Sequence, residues 1–92
     1  MTMGYDGKVY FPVQFTVTFI ANQRQIAGIQ ELEMRYSSSP PLAILIYDLC
    51  LQFPGLSDAI SETIAVNGKA VPKHYEFKND DNVIFIPHIG GG

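Results

Sequence analysis

One stretch of this sequence has helical spacing over more than two turns, and it stands between segments of alternating polarity. Leu42, Leu45, Ile46, Leu49 and Phe53 fall on one helical face. Ser37-Ser38-Ser39-Pro40-Pro41 precedes them. Serine caps the free amide groups of a first turn, and proline fits there because its missing N–H would be unpaired anyway. Pro54-Gly55 stops the run. A buried strand would also read as a continuous apolar run, but the length and the two end signals select a helix. The helix is unusually apolar: only Asp48 and Gln52 are clearly polar, and they share one stripe. A short helix on a small sheet cannot bury every side, so Ile44 and Leu51 hint at a partner.

Before the helix, Val13, Phe15, Val17 and Phe19 alternate with Gln14, Thr16 and Thr18, the pattern of a half-buried strand over Val13 to Ile20. Ala21 to Gly28 reads as a polar connection ending in glycine. Ile29 to Tyr36 alternates again, with Leu32, Met34 and Tyr36 opposite Glu31, Glu33 and Arg35. The two strands are expected to pair as an antiparallel hairpin. After the helix, Leu56 to Ser61 suits a short helical turn and Thr63 to Val66 a third strand. Asn67-Gly68 signals a type I′ turn, which needs positive φ at both central residues. Lys69 to Val71 returns, Lys78 to Asn82 turns again, and Val83 to Pro87 is the last apolar strand. One helix across one mixed sheet is an α+β solution. The order of elements is that of the β-grasp, or ubiquitin-like, fold, here over residues 13–87. Met1 to Pro12 is expected to be an N-terminal extension, and residues 88–92 a flexible tail.

Composition excludes several classes of function. The 92 residues are 47% apolar and 16% charged, which argues against disorder. Six Lys and Arg against nine Asp and Glu give a net charge of −3, whereas a nucleic-acid surface needs clustered positive charge. A single cysteine, Cys50, permits no internal disulfide and no thiolate zinc cluster. No basic-then-apolar leader is present and no apolar run approaches a membrane span. The expected location is the cytoplasm. No nucleophile–base set or phosphate-binding loop is present, so the chain is not expected to catalyse alone.

Three segments carry a family resemblance. They are Phe19-Ile20-Ala21-Asn22-Gln23-Arg24-Gln25-Ile26-Ala27-Gly28, then Ile64-Ala65-Val66-Asn67-Gly68, then Asp80-Asp81-Asn82-Val83-Ile84-Phe85-Ile86-Pro87-His88-Ile89-Gly90-Gly91-Gly92. Together they resemble the MoaD/ThiS family of ubiquitin-like sulfur carriers, most closely the small subunits of molybdopterin synthase. The chain departs from the family in having Pro87-His88 where two prolines are frequent, and in a third glycine, Gly90. The resemblance implies that an E1-like adenylating enzyme uses ATP to convert the carboxyl group of Gly92 into an acyl-adenylate. A sulfur donor then yields a thiocarboxylate, used with the large subunit of molybdopterin synthase. No cofactor bound by the chain itself is implied.

The tail also has a physical rationale. Ile89 to Gly92 can extend about 13 Å at roughly 3.3 Å per residue. Gly90, Gly91 and Gly92 have no β-carbon and can thread a channel too narrow for side chains. Pro87 lacks an N–H and ends the strand ladder. Pro87, His88, Ile89 and Arg24 are the candidate partner contacts, together with an exposed apolar side of the sheet. Arg24 could equally cap a loop. Cys50 reads as a buried core thiol, His74 and His88 as surface or strand-end groups, and Asp80 and Asp81 as turn formers. Three functions remain open: a sulfur carrier for molybdopterin, thiazole or cysteine synthesis; a protein modifier joined through Gly92 to lysines; and a non-covalent interaction module with an incidental glycine end.

Overall fold

The computed structural model describes residues 12–87. Two strands, β1 (Val13–Thr18) and β2 (Glu31–Tyr36), are joined by a short helix, α1 (Asn22–Ala27). The main helix, α2 (Leu42–Gln52), follows, then a 3₁₀ turn (Pro54–Asp58) and strands β3 (Ile64–Val66), β4 (Lys69–Val71) and β5 (Asn82–Phe85). The strands form one sheet in the order β2-β1-β5-β3-β4. β1 and β5 run parallel; every other neighbouring pair is antiparallel. This is the β-grasp arrangement, and it places the last strand in the centre of the sheet.

The period-two pattern becomes the core through the register. Val17 lies opposite Leu32 on one side and Val83 on the other, and Val83 lies opposite Val66. Phe15, Val17, Phe19, Met34, Ile64, Val66, Val83 and Phe85 are buried against Leu42, Leu45 and Leu49 of α2. Burying each such side chain contributes about 1.5–3 kcal/mol. The polar edge of α2 is tied to the sheet where the Tyr36 hydroxyl donates to Asp48 at 2.7 Å. Asn67 and Gly68 have φ of 52° and 86°, as the type I′ turn requires.

The structure corrects four sequence expectations. The connection after β1 is helical, because Gly28 in the left-handed region closes it by donating its N–H to the Arg24 carbonyl at 2.9 Å. Six residues give too few turns for an apolar period to show. Serine does not cap α2. Pro41 occupies the cap position, and Ser39, two residues earlier, instead accepts the Phe77 N–H at 2.8 Å. The final strand ends at Phe85, two residues before Pro87, because the Gln23 and Ser61 side chains take the place of its next backbone bonds. Lastly, the large exposed apolar side chains are not on the sheet. They are Ile44, Tyr47 and Leu51 on α2, with Ile26 on α1 and Ile29 beside it. The outer sheet face carries Thr16, Thr18, Glu31 and Glu33, and its apolar members Ile84 and Ala65 are half-buried.

Candidate functional site

The candidate site is the point where the chain leaves β5. Parallel pairing steps along alternate residues: the Thr16 N–H donates to the Asp81 carbonyl at 2.9 Å, and Thr18 lies opposite Ile84. Continued one step, this pattern would join the Ile20 N–H to the Phe85 carbonyl. That rung is absent. Ile20 donates instead to Gln23 Oε1 at 3.1 Å, and Gln23 Nε2 donates to the Phe85 carbonyl at 3.0 Å. The side-chain amide of Gln23 is thus inserted into the ladder in place of a direct bond. Its second N–H reaches the Ala59 carbonyl at 3.1 Å. Gln23 is wholly buried, and with these three bonds it avoids the cost of an unsatisfied amide.

The other flank of β5 shows the same device. Ile86 donates to the Thr63 carbonyl at 2.9 Å, half of an ordinary antiparallel rung. The reciprocal half is relayed. The Thr63 N–H donates to Ser61 Oγ at 3.1 Å, and the Ser61 hydroxyl donates to the Ile86 carbonyl at 2.7 Å. A side chain therefore stands between β5 and each neighbour where pairing stops, and Pro87, with no N–H, cannot resume it.

The start of β5 is held by Asp81. Its carboxylate is buried and accepts the Asn67 side-chain amide, the Tyr75 hydroxyl and the Lys78 N–H, each at 2.9 Å. Asn67 returns by accepting the Asn82 N–H at 2.9 Å. Burial, then the bond to Asp81, raises the Tyr75 pKa above its usual value.

Of the residues singled out from sequence, Pro87 is half-buried directly beyond the exit. Arg24 is exposed on α1, next to Gln23, and its Nε donates to the Phe19 carbonyl at 3.4 Å, so it fastens the loop. His88, Ile89, Gly90, Gly91 and Gly92 lie outside the described residues, as do Met1 to Phe11. Cys50 is half-buried rather than fully buried, beside Ile46, Ser57, Ile60 and Ser61. Burial pushes its thiol pKa up, so the reactive thiolate is disfavoured. His74 is exposed. Among the described residues, no group of three or more His, Cys, Asp or Glu could hold a metal ion, and no helix is long and apolar enough to cross a membrane.

Sequence reasoning missed Gln23 and Ser61, and took Asp81 for a turn former alone. No apolar period marks α1, where the polar Gln23 points inward and Ile26 is left exposed. The Asn67-Gly68 turn was the available signal for Asp81, since a turn beside an acidic stretch invites an amide–carboxylate bond.

Comparison with known proteins agrees with this architecture. The sequence profile of the ThiS family matches residues 17–92. No curated protein is similar enough in sequence to count as a relative. Among solved structures, the chain resembles a Pyrococcus furiosus protein assigned as molybdopterin converting factor, subunit 1. The two are 26% identical over 84% of this chain and 99% of that one, with a TM-score of 0.71. Small archaeal modifier protein 1 of Haloferax volcanii superposes with a TM-score of 0.68 at 16% identity, over 86% of this chain and 99% of that one. The same modifier from Methanosarcina acetivorans gives 0.67 at 20% identity, over 87% and 97%. These two likenesses concern the fold. With the profile spanning most of its length, this chain belongs to the ThiS family of small ubiquitin-like β-grasp proteins.

Proposed function

We propose that this protein is a sulfur carrier, with the carboxyl group of Gly92 as its reactive end, acting as the small subunit of a molybdopterin synthase. The observation that carries the reading is the exit of the chain from the central strand. There the backbone is fastened at the Phe85 carbonyl on one side and at Ile86 on the other, and in sequence Pro87, His88, Ile89 and three glycines follow. A folded domain holds the base of the tail, and glycines without β-carbons carry the carboxyl group into a partner's active site. The 26% identical Pyrococcus structure supports the molybdopterin branch of the family.

A carboxylate is a poor electrophile. An E1-like enzyme would transfer AMP from ATP to the Gly92 carboxylate, releasing pyrophosphate. A sulfur nucleophile then attacks the acyl carbon, expels AMP and leaves a thiocarboxylate. The large synthase subunit would receive the tail and direct that sulfur to the pterin precursor. Pro87, His88 and Ile89 would line the mouth of the partner's channel.

Intact mass of the protein from its own host tests this. A gain equal to sulfur minus oxygen, lost when hydrolysis returns the carboxylate and releases hydrogen sulfide, is the expected result. A series of larger adducts on lysines of other proteins would instead identify a modifier. An unmodified terminus in cells that actively make the cofactor would refute both.

A further inference from the structure

The two inserted rungs define a purpose for residues outside the tail. Left to itself, a parallel ladder propagates, because each further rung satisfies one donor and one acceptor. At the end of β5 a direct Ile20–Phe85 bond would draw the chain toward β1, and a complete Thr63–Ile86 pair would draw it toward β3. Either would carry pairing nearer to the tail. Instead, the Gln23 amide spaces the Ile20 N–H from the Phe85 carbonyl, and the Ser61 hydroxyl spaces the Thr63 N–H from the Ile86 carbonyl, leaving only the Ile86 N–H bonded directly to Thr63. Both interposed groups satisfy the backbone atoms they separate, the Ile20 and Thr63 N–H groups and the Phe85 and Ile86 carbonyls, so stopping the sheet here leaves none of these four unpaired.

We propose that Gln23 and Ser61 are positioning residues that end the pairing of β5 on its two sides and thereby fix where and in which direction the reactive tail leaves the sheet. The inference rests on the reading of Gly92 as the reactive end. Neither residue touches the reacting atoms. Both act through the Phe85 and Ile86 carbonyls, the last two before Pro87. Their effect therefore falls on the productive placement of a bound tail more than on encounter with the partner.

The test is ATP–pyrophosphate exchange with the cognate adenylating enzyme, with kcat and the KM for the carrier measured separately. Full-length Gln23→Met, Ser61→Ala and Ser61→Thr proteins are compared with a chain lacking Gly92. Methionine keeps the volume of Gln23 and removes its amide; threonine keeps the hydroxyl of Ser61. A displacement of about 1 Å can cost about a hundredfold in rate, so kcat should fall about tenfold or more in Gln23→Met and Ser61→Ala, with KM within about twofold of wild type. Ser61→Thr should retain wild-type kcat. Amide resonances beyond Pro87 should shift in the two impaired variants. A merely structural role would lower melting temperature and leave kcat of the folded protein alone. If Gln23→Met fails to fold, the serine pair decides: equal kcat for Ser61→Ala and Ser61→Thr overturns the proposal, as do two folded variants with wild-type kcat. If those variants are unaffected while loss of Gly92 abolishes exchange, the positioning inference alone fails. If loss of Gly92 leaves exchange intact, the reading of the tail falls and the positioning role falls with it.

Discussion

Replacing Asp81 by asparagine changes one oxygen to an NH₂ group and should break the network at the start of β5. Oδ2 of Asp81 accepts both the Tyr75 hydroxyl and the Lys78 N–H, while Oδ1 accepts the Asn67 Nδ2. An asparagine oxygen can serve the first pair, but its NH₂ then faces the NH₂ of Asn67. Asn67 cannot turn its amide over, because its Oδ1 holds the Asn82 N–H at 2.9 Å. Hydrogen bonds to a charged group contribute about 1.5–3 kcal/mol each, and about half that when neutral. Two bonds weakened and one made repulsive come to about 3 kcal/mol, discounted to about 2 because Asn67 is exposed and can recruit water. Urea denaturation at neutral pH measures the difference. Asn67→Asp in the same chain offers an acceptor to the new NH₂ and keeps one for Asn82, so the double variant should recover about 1 kcal/mol of the loss. An Asp81→Asn protein within about 0.5 kcal/mol of wild type, the level of a surface change, would refute the account.

Three further outcomes are expected. Burial first, then the hydrogen bond and charge of Asp48, hold the Tyr36 pKa far above its ordinary value, so the neutral hydroxyl is the form the fold favours. Its stabilising effect is complete below the unfolded value of about 10 and is lost as pH rises above it toward the folded value. Tyr36→Phe should flatten that alkaline decline in denaturant titrations and cost about 1 kcal/mol at neutral pH. Ala21 sits at φ 53° and ψ −137°, a conformation that favours glycine. Ala21→Gly should therefore gain about 0.5–1 kcal/mol, read as a higher melting temperature. Adding one residue after Gly92 should suppress pyrophosphate exchange as strongly as removing Gly92, about a hundredfold, while thermal melts stay unchanged.

The sequence made the strands legible because burial on one face forces period-two alternation, and Val17, Val83 and Val66 line up across the sheet as that alternation requires. The main helix was legible for the matching reason at period 3.6. What stayed hidden was polar chemistry in the interior. Gln23 lies in a polar stretch, and nothing in the order of residues says that its amide, rather than Ile26, turns inward. Ser39 stood where a cap was expected, yet two prolines displaced it and it serves Phe77 instead. Such bonds join residues far apart in sequence, Gln23 with Phe85 and Ser61 with Ile86, so no local pattern encodes them. The tail is an expectation from the glycines and the family resemblance, and lies outside the described residues; the fastening at Phe85 and Ile86 had no signal in the sequence.

On the proposed reading of Gly92, the position of β5 gives that fastening its use. A strand at the end of a chain usually frays, since local opening there breaks few contacts. Here β5 is only four residues long, too short to hold by itself, but it lies between β1 and β3 and buries Val83 and Phe85 completely. Pulling the tail would have to break ladders on both sides and expose both side chains, so opening at its base approaches the cost of unfolding the domain. Asp81 fixes where the strand begins, and Gln23 and Ser61 fix where it stops. Between those limits the backbone has no freedom to slide, because a slip of one residue would turn Val83 and Phe85 out of the core. On the proposed reading, the reach of Gly92 is then counted in residues from Phe85. A carrier whose terminal carboxyl must meet a partner's active site at a fixed depth requires that kind of measure.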